Sequence, residues 1–156
     1  MTHLNADSAL ARGCRRLGVP LARAAILVVY AWFGVLKVFG TSPANPLVQE
    51  LLARTLPFVS FDRFILLLGV YEMAIGVVFT IPRLERLAFA LVVPHLFMTA
   101  GPLVLLPAVA WSGFLVPTLE GQYIIKNVLI VATVAGLAAQ LQLQAAHPPA
   151  TARSRA

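Results

Sequence analysis

The chain has 156 residues, of which 60% are hydrophobic and only 12% charged, about half the charged fraction usual in a soluble domain. A mean hydropathy of +0.86 excludes an ordinary water-soluble fold and fits one membrane-embedded domain with room for four spans of ~20 residues. The formal charge of +6 sits on tails and one short turn, with no basic groove interleaved with aromatics, which argues against a nucleic acid partner and for a topological use of arginine.

Residues 1–20 read as a polar, basic tail carrying Arg12, Arg15 and Arg16. The single cysteine, Cys14, lies in it, so no internal disulfide or CxxC pair can form. An inert thiol is the plain reading, and a lipid anchor is the alternative. "LARAAILVVYAWFGVLKVF" (21–39) then runs apolar for one bilayer thickness. A basic segment before an apolar one also marks a signal peptide, but this run exceeds an h-region and no A-x-A site closes it.

In the following loop, "NPLVQELLARTL" places Asn45 as a helix N-cap and Pro46 at the first helical position. Leu47, Leu51 and Leu52 share one face, with Gln49, Glu50 and Arg54 opposite. The pattern predicts a short amphipathic helix lying on the membrane surface. The second span is "FILLLGVYEMAIGVVFTI" (64–81), and the basic turn "PRLER" follows it. The third covers 87–106 and the fourth 123–141. Between them, "AWSGFLVPTLEGQY" offers Trp111, Phe114 and Tyr123 to the headgroup layer. The two loops either cap the bundle or anchor it at the interface. Residues 143–156 are polar and rich in Pro and Ala, and read as a disordered tail.

The expected fold class is all-α: a four-helix transmembrane bundle over residues 21–142. Arginines in both tails and in the 82–86 turn place these on the cytoplasmic side. The 107–122 loop carries none, and Arg54 and Arg63 of the 40–63 loop are offset by Glu50 and Asp62. Both termini are therefore expected in the cytoplasm and the two longer loops outside.

Four ionisable residues fall within the spans: Lys37, Glu72, His95 and Lys126. Such groups usually face a bundle interior or a watery cavity. Glu72 lies about eight residues into its span, ~12 Å deep by helical rise. Its short side chain cannot reach either surface, so it must pair, stay protonated or meet water. Gly69 and Gly76 flank it at helical spacing, which puts it on a closely packed face. Lys37 lies near the end of its span, where its stem can snorkel to the headgroups. Tyr30 and Gly34 share its face, however, and Glu72 needs a partner. Lys126, followed by Asn127, occupies the same layer in the fourth span.

Two arrangements fit these positions. A Lys–Glu–Lys cluster would be net positive and attract an anion or a polar quinone headgroup. One salt bridge with the other lysine snorkelled is plainer. His95 follows Pro94, a residue that frees a backbone carbonyl. It reads as a core histidine bonded to a carbonyl or hydroxyl. His3 and His147 lie in the tails, so a two-histidine haem site is not expected, and one layer holds too few ligands for zinc or iron. No Ser-His-Asp order, HExxH or nucleotide loop is present.

"YAWFGVLKVFG", "GVYEMAIGVV" and "EGQYIIKNVLIVA" resemble the DoxX-like integral membrane proteins. The resemblance is to the YkgB-like branch, where "WxGxLKF", "GxxExxxG" and "xxxKDxxxL" occur in the same order. It covers roughly residues 22–141. It implies a four-helix bundle with Lys37, Glu72 and Lys126 with Asn127 at the polar positions. Asn127 stands where an aspartate is often found, which weakens a proton relay there. The resemblance also implies a bacterial inner-membrane protein tied to membrane redox or oxidant-response chemistry. Its expected role is a non-haem subunit or quinone-binding partner of a membrane or soluble oxidoreductase. A small-molecule or ion transporter and a non-catalytic membrane scaffold are the competing readings. Four spans make a small pore, so transport would call for a homo-oligomer or larger rearrangements.

Overall fold

The structure, a computed structural model, describes residues 2–146. Its elements are α1 (Thr2–Val38), α2 (Asn45–Thr55), α3 (Phe61–Thr80), α4 (Glu85–Ala100), α5 (Pro102–Leu105), α6 (Pro107–Ala110), β1 (Trp111–Gly113), β2 (Val116–Pro117), α7 (Leu119–Lys126) and α8 (Val128–Ala146). Four segments are long and apolar enough to cross a membrane: Arg16–Val38, Phe61–Thr80, Glu85–Leu105 and Leu119–Ala139. They expose Trp32, Leu67, Phe97 and Leu129 on their outer sides. Helices that are apolar all round are solvated by lipid, not water. The protein is a multi-pass helical bundle.

The second and third spans shift by one to three residues, and four boundaries differ in kind from the sequence reading. Helix α1 runs back to Thr2 through the segment read as a basic tail over 1–20, with Pro20 inside it. The segment is rich in Ala, Leu and Arg, good helix formers whose polarity does not stop a helix. Helix α2 begins at Asn45, so the N-cap is Ala44, without a side-chain cap, and Pro46 falls one position later than expected. The Asn45 amide donates to the Gly40 carbonyl instead, at 3.1 Å. The fourth span starts at Leu119, where the Thr118 hydroxyl accepts from the Gly121 N–H at 3.1 Å. Helix α8 extends to Ala146, so residues 143–146 are helical. Residues 147–156, the rest of the expected disordered tail, lie outside the described residues.

The fold is not wholly helical. β1 and β2 pair antiparallel, Trp111 opposite Pro117, and the Trp111 indole donates to the Leu103 carbonyl at 2.9 Å. This hairpin is too short for alternation to reveal it.

The α1–α3 interface is the most extensive between helices. A Cβ added to Gly34 would lie 2.6 Å from the Gly69 carbonyl oxygen, and one on Gly69 would lie 2.7 Å from that of Gly34. The two backbones touch, as small residues permit where no hydrophobic force drives helices together. All four spans contribute to a core containing Ile26, Ile75, Val92 and Val134. This core fills the half of the bundle nearer the Arg83 turn. At the other end α2 lies over the helices, and the Arg54 guanidinium donates to the Leu105 carbonyl at 3.1 Å.

Gly34→Ala is expected to lower stability by about 1–3 kcal/mol through overpacking. Gly136→Ala, whose added methyl meets nothing within 4 Å, should be neutral or stabilising by about 0.5 kcal/mol. Thermal unfolding of both variants in one detergent checks the contrast.

Candidate functional site

Helical spacing puts Tyr30, Gly34 and Lys37 on one face of α1, and Gly69, Glu72 and Gly76 on one face of α3. The glycine contact draws these faces together. The Lys37 ammonium then donates to Glu72 Oε2 at 2.7 Å. Lys37 is 6% exposed and Glu72 5%. The lysine turns inward and does not snorkel.

The third member comes from α4. His95 Nε2 lies 3.0 Å from Glu72 Oε1, and Nδ1 lies 3.2 Å from the Tyr30 hydroxyl. A carboxylate only accepts, so Nε2 donates to Glu72; in a neutral imidazole Nδ1 then accepts from Tyr30. The bonds therefore run Tyr30 to His95 to Glu72, with Lys37 donating to the other carboxylate oxygen. The Tyr30 and His95 rings also meet edge to face, with centroids 5.1 Å apart. Tyr71 donates its hydroxyl to the Leu91 carbonyl, three residues before Pro94. That is the stretch where a proline loosens the helical ladder.

The other two sequence candidates divide. Asn127 lies between α7 and α8, and its amide donates to the Thr99 hydroxyl at 3.4 Å. Lys126 is exposed, with its ammonium 5.3 Å from the Tyr123 ring centroid. Of the two arrangements open from sequence, the structure has the single salt bridge. With His95 neutral, its charges balance. Tyr30 was visible in the sequence only as a neighbour on the Lys37 face, and its bond to a residue of another helix has no sequence signal. Ser42, 5% exposed with its hydroxyl accepting from the Ala44 N–H at 3.3 Å, was missed altogether.

A cavity of about 890 Å³ opens beside this network, in the upper part of the range for small-molecule sites. Tyr30, Lys37, Glu72 and His95 line it on one side, and Asn127 on another. Most of the wall is apolar, including Phe33, Leu51, Phe64, Leu68 and Ile124. Helix α2 contributes Leu47, Leu51 and Leu52, so it forms part of the wall. Such a site suits an amphipathic molecule with a small polar head. Lys37 uses one of an ammonium's three donors on Glu72, and the Tyr30 oxygen keeps lone pairs free. Among the described residues no three His, Cys, Asp or Glu side chains come together to hold a metal ion.

Comparison of the chain with protein-family models, with curated proteins and with solved structures gives no match.

Proposed function

We propose that this protein is a DoxX-like inner-membrane protein that binds a quinone in the cavity beside Lys37, Glu72 and His95, as a subunit or partner of a membrane redox system. The observation that carries this reading is a largely apolar cavity ending on a buried hydrogen-bonded network, charge-balanced when His95 is neutral. A balanced network favours an uncharged polar head over a free anion, because an anion would meet Glu72 as closely as Lys37. A quinone carbonyl fits a spare Lys37 donor, and Glu72 with His95 and Tyr30 can hold or pass a proton. The motif resemblance supports the same reading. An oxidant-response role, with an oxidoreductase as partner, follows from the resemblance alone.

The orientation belongs to this proposal. Arg83 and Arg86 stand at the end of the bundle opposite α2, where Arg23 bonds Glu85 at 2.9 Å. Placing that end in the cytoplasm satisfies the arginine distribution. Both termini are then cytoplasmic, and α2 and the hairpin lie on the outer side.

One observation favours a scaffold instead. Lys37, Glu72, His95 and Tyr30 each find a partner within the network without a ligand. Removing one partner of a buried pair costs about 3–5 kcal/mol, whereas replacing both by apolar groups is often neutral. On the scaffold reading, Lys37→Met and Glu72→Met each lose stability, and the double variant regains it with nothing else changed.

Native mass spectrometry of the protein purified with its lipids tests the quinone reading. Wild type is expected to carry a quinone, and Glu72→Gln to retain about tenfold less, the size of one charge-assisted hydrogen bond. Phospholipid alone on both forms would count against the reading. A folded Lys37→Met, Glu72→Met variant that keeps its quinone would assign the pair to packing alone.

A further inference from the structure

The cavity has two stripes of lining residues that come from different spans. On α1 these are Val29, Phe33 and Lys37, spaced four apart. On the last span they are Tyr123 of α7, Asn127 at the junction and Ile130 of α8. Residues that line an enclosed cavity are buried. Here Phe33 is 43% and Tyr123 61% exposed, and both belong to membrane-spanning segments. The cavity therefore reaches the surface of the bundle beside these two residues, and it does so again beside Phe97 of α4, 77% exposed.

The core explains why a gap arises there. Helices α1 and α8 share the core cluster through Ile26, Tyr30, Val134 and Leu137. Beyond that cluster toward α2, the α1 face is carried by α3 through the glycine contact. The last span changes element at Asn127, where α7 ends and α8 begins. Lys126, next to this break, holds its ammonium 5.3 Å from the Tyr123 ring centroid. Val29, Phe33 and Ile130 on this rim are apolar.

We infer that the cavity has a lateral mouth between α1 and α7–α8, through which a membrane-dissolved ligand seats its polar head while its apolar tail stays in the mouth and the surrounding lipid. This rests on the reading that the cavity binds a quinone, and it adds the tail and the route. The ligand class is an uncharged head on a long chain, not a compact water-soluble molecule. At the α2 end the cavity is lined by exposed Glu50 and Glu120, charges that suit water and not a hydrocarbon tail.

The test uses two probes, a ubiquinone with a long isoprenoid tail and the same headgroup without a tail. Retention of each is measured by native mass spectrometry on wild type, Val29→Trp and Ile130→Trp reconstituted in nanodiscs. An indole at either position fills the mouth and leaves the polar network untouched. Both variants should lose long-tailed quinone about tenfold and keep the tail-less headgroup as wild type does, which also shows that they fold. Unchanged retention of long-tailed quinone by a variant that still binds the headgroup would overturn the mouth and leave the quinone reading standing. Failure of wild type to retain either probe would remove both.

Discussion

A lysine and a glutamate bonded at 2.7 Å inside an apolar bundle are the constraint on which the rest depends. Neither group is tolerable alone in hydrocarbon. Their meeting is possible because Gly34 and Gly69 bring the α1 and α3 backbones into contact just beside them. With larger residues there, the helix axes would part and the two charges would need water or a different partner. His95 then completes the carboxylate from a third helix, and Tyr30 completes the histidine. Three of the four spans are thus registered against one another by polar bonds that have only one geometry. Packing of uniformly apolar helices leaves register far freer.

The bundle divides into two halves around this network. Nearer the Arg83 turn, side chains from all four spans fill a core. Nearer α2, α1 and α3 stay in contact while a cavity of about 890 Å³ opens beside them. The network stands at the boundary, with Tyr30 belonging to the core and also lining the cavity. A filled half gives rigidity, and an open half with one polar wall gives a place for a ligand head. That division carries the functional proposal more than any single residue does.

The sequence made the spans legible because their signal is long and redundant: ~20 apolar residues are hard to misread. Glu72 was legible for the opposite reason, as one group that could not be satisfied where it stood. Its flanking glycines and the polar face of Lys37 pointed to each other. Beyond that pair the sequence was silent or ambiguous. Lys126 and Lys37 look alike as cations near a span end, and only the tertiary course of the helices turns one inward and leaves the other over Tyr123. The Tyr30–His95 bond joins residues 65 apart in the chain, with no periodicity to announce it. The hairpin at Trp111–Pro117 and the Thr118 cap are local features, and both were masked by aromatic residues that suit a membrane interface equally well.

The most direct measurement of the central claim is solid-state NMR of the protein in phospholipid bilayers, with Lys37 labelled at Nζ and Glu72 at its carboxyl carbon. Strong dipolar coupling between the two nuclei, with none from Lys37 Nζ to lipid phosphorus, is the result this account requires. Coupling of Lys37 Nζ to phosphorus without coupling to Glu72 would place the lysine among the headgroups and contradict it.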